Sequence, residues 1–248
     1  MSRAPVLLAI DTATSTCSVA LATADRVDQL ERDVGQRHSE HLLSMIDEVL
    51  AVRSTSLGEC DAIAFGAGPG SFTGLRIACG VAQGLAYGID RPVIPIGSLA
   101  AVALDVLARY PGLRTILVAQ DARMGEVYWA VYRSATDRVA PIELVAPALA
   151  APEDLVPLAM EHAVDAIAGT AIQAFGERLR GYAGRRIDQV QGGAAAIARL
   201  ALEAFAAGAA VDAALAAPLY VRDRVALTVE ERRVPGSSLA APRIEATR

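Results

Sequence analysis

Aromatic residues are scarce in this chain. Phe, Trp and Tyr supply 4% of it, against 53% for all hydrophobic types. Its interior must therefore be built from Ala, Val, Leu and Ile, the composition of helices packed on β-sheet. Cysteine is also scarce: Cys17, Cys60 and Cys79 are scattered, without C-x-x-C or metal-like spacing. They read as small buried apolar residues of a reducing compartment. No apolar run approaches the ~20 residues a membrane-spanning helix needs. No long basic run is present and the net charge is −5, which argues against a stand-alone nucleic-acid binder. The start, MSRAPVLLAID, passes directly into a strand-like run without a cleavable signal pattern, so a cytoplasmic location is expected. The length, 248 residues, fits one large domain or two moderate ones.

The chain contains two rounds of one pattern. Val6–Ile10 reads as a buried strand, DTATSTC as a polar turn, Ser18–Thr23 as the returning strand and Arg26–Asp33 as an edge strand. An amphipathic helix follows over His38–Ala51. Next come a short strand at Asp61–Phe65, a glycine-rich loop, a helix over Phe72–Tyr87, a strand at Pro92–Ile96 and a helix over Ser98–Ala108 with Ser98 as its cap. Then Thr115–Ala119, the turn DARMGE and Val127–Arg133 repeat strand, aspartate, polar turn, strand. A short strand at Ala166–Ala168 precedes a helix through Arg180, and an alanine-rich helix spans Ala194–Ala207. Pro218–Leu227 reads as irregular, and the Pro- and Ser-bearing end from Glu231 as poorly ordered. The expected units are 1–106, 107–226 and a tail, 227–248. Two hairpins with an aspartate in each turn predict a duplicated α/β fold with two subdomains, of the ribonuclease H-like kind shared by actin, Hsp70 and sugar kinases. In that group the hairpins grip phosphates across a cleft.

The loop FGAGPGSFTGLRIACG, Phe65–Gly80, invites a phosphate reading, but its spacing fits neither common motif. A Walker loop needs a lysine, and none follows. A dinucleotide fingerprint needs G-x-G-x-x-G; Ser71 or Thr73 stands where the last glycine should be. Two readings remain. Backbone N–H groups at a helix N-terminus could cradle an anion, or the loop is a tight turn with Ser71 or Thr73 capping the helix.

Other chemistry-bearing residues carry the same ambiguity. Asp11 and Asp121 occupy the hairpin turns where a Mg-nucleotide would be gripped, yet aspartate in a turn commonly bonds its own backbone. His38 and His41 flank Glu40, but as polar residues at a helix entrance they read as solvated rather than metal-binding. Ser15 has no histidine near it in sequence to activate it. Tyr128 and Trp129 on a strand read as surface and core neighbours.

LLAIDTATSTCSVAL, RHSEHLLSMI, GAGPGSFTGLRIACGVAQGLAYG, PVIPIGSLAAVA, DARMGEVYWAVY and PLYVRDRVA occur in that order. Together, from about Leu7 to Ala226, they resemble the bacterial TsaB (YeaZ) family. That resemblance implies a subunit of the machinery that forms threonylcarbamoyl-adenosine beside the anticodon of tRNAs reading ANN codons. Such proteins pair with a catalytic paralogue of the same fold, TsaD. A small ATPase, TsaE, docks on the pair, and TsaC supplies the adenylate. The paralogue carries H-x-x-x-H after the strand matching Pro92–Ile96; here that segment is Gly97-Ser98-Leu99-Ala100-Ala101, without a histidine. The expectation is a non-catalytic scaffold, with no cofactor held tightly by this chain. ATP, Mg and a catalytic metal are expected in the partner subunits, and tRNA is met only through the complex. Asp11, Thr12, Ser15, Gly68, Gly70, Ser71 and Asp121 are then remnants of a phosphate cleft. An independent ATPase or kinase, and a metallopeptidase, are the alternative classes.

A partner surface is predicted from the two N-terminal helices. On a wheel of ~100° per residue, Arg76, Gly80, Gln83 and Tyr87 lie opposite the sheet-facing side, with Gly84 at the border. Glycine inside an exposed helix costs about 1 kcal/mol relative to alanine, so the pair four apart suggests close approach of another helix. In the preceding helix Leu42, Leu43, Met45, Ile46, Val49 and Leu50 make an apolar stripe roughly 160° wide, more than one sheet requires. Its spare width, Leu42, Met45 and Val49, is expected to bury against a partner. The resemblance implies that these two helices serve both a homodimer and the pairing with the paralogue.

Overall fold

The computed structural model describes residues 3–188 and 190–222. β1 (Leu7–Asp11), β2 (Thr16–Ala22) and β3 (Val27–Asp33) form an antiparallel meander, joined on the far side of β1 by parallel β4 (Ala62–Gly68) and β5 (Val93–Gly97). The order is β3-β2-β1-β4-β5. Helix α1 (His38–Val52) links β3 to β4, α2 (Phe72–Gly88) links β4 to β5, and α3 (Ser98–Arg109) leaves β5. The second half repeats this. β6 (Thr115–Asp121), β7 (Val127–Arg133) and β8 (Ile142–Ala150) form a meander; β9 (Ala166–Ala168) and β10 (Arg185–Ile187) extend it in parallel as β10-β9-β6-β7-β8. α4 (Leu155–Glu161), α5 (Ala171–Phe175) and α6 (Ala194–Ala206) stand where α1, α2 and α3 stand in the first. The expected duplicated, actin-like α/β fold is present.

Strand alternation decides what each sheet face meets. Leu8 and Ile10 of β1 point into one core with α1 and α2, while Leu7 and Ala9 point to the opposite core. That second core is closed by α6, whose Ala194, Ile197, Ala198 and Ala201 are buried in it. Reciprocally, Leu99, Val102, Ala103 and Val106 of α3 pack on Ile116 and Val118 of β6. Each half thus lends its last helix to the other half's sheet. The expected boundary at 106/107 falls inside α3, and the packing of α3 and α6 crosses it. A sheet with apolar residues on both faces needs helices on both; α3 serves two sheets at once, since its Ala101 and Leu104 face the core of its own half's sheet beside α6. The docking of α6 is fixed by the first half: Ala194 N donates to Ser18 Oγ at 2.9 Å and Ala195 N to Gln29 Oε1 at 2.6 Å. These side chains cap a helix whose N-cap, Gly193, has no side chain to offer.

Other expectations need adjustment. Ser98 does not cap α3. It is the first helical residue after Gly97, and its hydroxyl, nine-tenths buried, has no partner. The helix expected to run through Arg180 is five residues of α5 followed by a 3-10 turn, Gly176–Leu179. β8, α4 and β10 have no counterpart in the sequence reading. Cys17, Cys60 and Cys79 are buried and unpaired, and burial pushes the thiols of Cys17 and Cys60 up to about 11. Trp129 is buried and Tyr128 half-buried, as expected. The proposed tail, 227–248, lies outside the described residues.

Candidate functional site

Both sheets end their central parallel strands toward one cleft of about 950 Å³ between the halves. Thr14, Ser15, Gly70, Ser71 and Ser98 line it from one side, and Gln120, Asp121 and Thr170 from the other. Asp11, at the end of β1, lies beneath it and is buried. Its Oδ1 accepts from Ala13 N at 3.0 Å, the aspartate-turn arrangement. Burial raises its pKa to about 6, against the opposing pull of the Ala13 and Thr12 backbone bonds. Asp121 does the same in the second hairpin: Oδ1 accepts from Arg123 N at 2.8 Å, and Oδ2 pairs with the Arg123 guanidinium at 3.2 Å.

The glycine loop is a seam. Ser71 N donates to Ala13 O at 2.8 Å, and Gly74 N to Ser71 Oγ at 3.3 Å. Ser71 is therefore the N-cap of α2, and two of the loop's backbone donors are spent inside the chain. Thr12 is fully buried and donates Oγ1 to Gly74 O at 2.7 Å. A Cβ on Gly74 would stand 1.9 Å from Thr12 O, so only glycine fits where the first hairpin meets α2. Gly68 holds φ +109°, a region that disfavours a side chain, and Gly70 lies against Ala13. Two arginines stand here: Arg123 is 85% exposed beside Asp121, a solvated pair, whereas Arg222 is largely buried against Glu126, with a further bond to Ala122 O at 3.2 Å.

Three features were not legible in sequence. First, His38 is not solvated: it is 4% exposed, lines the cleft, and its Nε2 has no partner. Burial holds it below the ordinary imidazole pKa. It thus shares the cleft wall with Ser15, but its free Nε2 activates no hydroxyl. Second, Thr170 holds the second hairpin by accepting from Asp121 N at 3.0 Å. Third, the segment after Ala216 straps the cleft. Leu219 N donates to Ala67 O at 2.7 Å on one side, Arg222 reaches Glu126 on the other, and Tyr220 Oη meets Arg76 Nε at 3.0 Å. Contacts across about a hundred residues leave no local pattern.

The partner surface is only partly as read. Leu42, Met45, Ile46 and Val49 are buried in the chain's own core, so the wide stripe of α1 has no spare width. It is consumed by the sheet, by α2 and by Ala213 and Ala216. The exposed large apolar side chains of α1 are Leu43 and Val52. Gln83 is also engaged, donating to Ala213 O at 3.1 Å and Ala216 O at 3.2 Å. Arg76 sits 3.9 Å from the Phe72 ring centroid. Gly80, Gly84 and Gly88 have open space where a Cβ would be, and Tyr87 is 84% exposed. Among the described residues, no group of three His, Cys, Asp or Glu side chains could hold a metal, and no helix is long and apolar enough to cross a membrane.

Duplicated β-meanders, exchanged last helices and aspartate-bearing hairpins on a shared cleft define a two-lobed protein of the actin-like class. Residues 32–177 match the family model of TsaD, tRNA N6-adenosine threonylcarbamoyltransferase. Escherichia coli TsaB, described as a tRNA threonylcarbamoyladenosine biosynthesis protein, is 46% identical over 127 residues, 51% of this chain and 54% of that protein. Haemophilus influenzae TsaB is 46% identical over 124 residues. The chain spans about half the length of these curated relatives. A Pseudomonas aeruginosa crystal structure described as similar to peptidase YEAZ superposes with a TM-score of 0.79 at 36% identity, covering 88% of this chain and 100% of that one. The chain belongs to the TsaB (YeaZ) family, within the fold family that the TsaD model describes.

Proposed function

We propose that this protein acts in forming threonylcarbamoyl-adenosine in tRNA as a non-catalytic subunit, pairing through the outer face of α2 with a catalytic TsaD-like paralogue of the same fold. The observation that carries the reading is that face itself. Gly80, Gly84 and Gly88 repeat every four residues with nothing within 4 Å of a Cβ position, beside the exposed Tyr87. A helix bearing such a row lets another backbone come close, and the solvated alternative leaves the helix-weakening glycines without a purpose. Leu43 and Val52 of α1 add exposed apolar area. In isolation the same face would pair two copies of this chain. A non-catalytic role is supported by the segment Gly97–Ala101, which offers no imidazole, and by the pairing of Arg222 with Glu126. A TsaE-like ATPase is assigned to the assembled pair, and ATP, Mg and a metal to the partner subunits. Cytoplasmic location belongs to the same proposal.

The test is to mix the purified chain with the paralogue, follow co-elution by size exclusion, and assay tRNA modification with and without this chain. Co-elution and dependence of modification on the chain are expected. Modification that proceeds equally without it, or steady ATP hydrolysis by the chain alone, would overturn the proposal.

A further inference from the structure

The second sheet carries a row of arginines at the end away from the cleft. Gln120, Asp121 and Thr170, which line the cleft, stand at or just beyond the C-terminal ends of β6 and β9. At the other end, about 20 Å away along β6, Arg114 precedes β6, Arg133 closes the antiparallel β7, and Arg185 and Arg186 open β10. Strand register puts them in line. Ala166 of β9 pairs with Arg185 on one side and with Ile116 on the other, and Thr115 pairs with Arg133. The outermost arginines are three strand spacings, about 14 Å, apart. All of them are exposed. Among the described residues, none of these guanidiniums has an ion-pair partner. A carboxylate at this end, Asp165, is occupied with backbone: its Oδ2 accepts from Arg114 N at 2.7 Å and from Thr115 N at 2.9 Å. Arg185 is held in place, its guanidinium carbon 4.1 Å from the ring centroid of Tyr110 at the C-cap of α3. Such stacking leaves the edge donors of the guanidinium free.

We infer that this end of the second sheet is an RNA-contact surface, through which the chain touches tRNA phosphates directly. The choice of tRNA rests on the function proposed above; the surface rests on the arginine row. The planar fork of arginine matches phosphate oxygens, and each unpaired guanidinium has its donors to give. An RNA strand carries a charge on every nucleotide and counterions to release, so it gains more from such a row than an acidic peptide does. Phosphate contacts position a nucleic acid without reading its sequence, which suits a subunit that performs no chemistry itself. A short row on a chain of net charge −5 makes a weak binder alone. Its contacts therefore add to those of the partner, and the sequence-based expectation that tRNA is met only through other subunits is replaced by a shared one.

The experiment is fluorescence-anisotropy titration of a labelled, unmodified tRNA transcript with the full chain alone, from about 50 to 200 mM salt. Pairing with the paralogue is read separately by size exclusion, so a failure to pair leaves this titration untouched and the two failures are distinguishable. Weak binding that fades with salt is expected. Arg185→Ala with Arg186→Ala should weaken it and make the slope of log K against log salt shallower by about 1.4–1.8, the loss of two phosphate contacts. Arg37→Ala removes an exposed arginine from the first half and should leave the slope unchanged. If the double variant does not fold by circular dichroism, Arg114→Ala, in the connection before β6, should lower the slope by about 0.7–0.9. Polyglutamate should compete for the labelled tRNA only weakly. No binding of tRNA at the lowest salt, an unchanged slope in the folded variants, an equal loss with Arg37→Ala, or polyglutamate competing as well as unlabelled tRNA would each overturn the inference.

Discussion

Substituting alanine at Met45 and at Gly84 should move stability in opposite directions, which separates core from surface on the two N-terminal helices. Met45 is fully buried among β-sheet, α1 and α2 residues. Truncating a buried methionine costs about 2–5 kcal/mol, through lost burial and the cavity left behind. For a body of this size one kcal/mol moves Tm by about 2–4 °C, so Met45→Ala should lower it by roughly 4–20 °C. Gly84 lies inside α2 with nothing near its Cβ position. Alanine there gains about 1 kcal/mol of helix propensity and should raise Tm by about 2–4 °C. Gly84→Arg should likewise fold, since the side chain extends into open space, while blocking a helix that seeks the glycine row. Thermal melts followed by circular dichroism give the shifts, and size exclusion with the paralogue gives the pairing. If Met45→Ala melts like the parent, or Gly84→Ala unfolds early, the assignment of these faces is wrong. A folded Gly84→Arg that still pairs would remove α2 from the interface.

Two further outcomes follow from the packing and the buried carboxylate. Residues 1–106 expressed alone should lack a cooperative melt, because the face carrying Leu7, Ala9 and Ile94 loses α6, and Leu99, Val102 and Ala103 of α3 lose β6; a sharp two-state transition of that fragment would refute the helix exchange. Asp11 has a folded pKa raised from 3.8 to about 6, so the folded state binds the proton more tightly than the unfolded one and stability falls as pH rises from about 4 to 6. Asp11→Asn keeps the oxygen that caps Ala13 and should gain stability over the parent as pH climbs through that window, by at most about 3 kcal/mol at neutral pH; denaturant melts at both ends of the window check it, and a pH-independent difference would contradict it.

Much of the fold was readable because its signals are local. The two hairpins announce themselves by apolar strands around Asp11 and Asp121, and α1, α2 and α6 by helical periodicity. The missed elements carry conflicting local chemistry. β8 contains Pro147, which is tolerated because β8 is an edge strand with a side that needs no ladder bond. α4 is seven residues long and contains Pro157, and β10 is Arg-Arg-Ile. The misreading of Leu42, Met45 and Val49 has a related cause. A stripe wider than one sheet requires was assigned to a partner, when the chain itself supplies a second wall from α2 and the segment at Ala213–Ala216. The site divides in the same way. Aspartates in turns can be placed from sequence, but an unpartnered His38 or Ser98 is a property of surroundings assembled from distant segments.

The glycine loop connects these levels. Its residues are accounted for by packing: Gly68 by its backbone conformation, Ser71 by the cap it provides, Gly74 by the Thr12 carbonyl pressed against it. Thr12 Oγ1 then ties the first hairpin to the first turn of α2, while Gln83 ties the middle of the same helix to Ala213 and Ala216. A helix fixed at both places on its inner side presents its outer side as a rigid surface. Rigidity lowers the ordering cost of association, since little freedom remains to be lost on binding. A motif that resembles a phosphate loop therefore makes physical sense without a phosphate. It holds α2 still, and the row of glycines on the far side of that helix is where stillness would be useful.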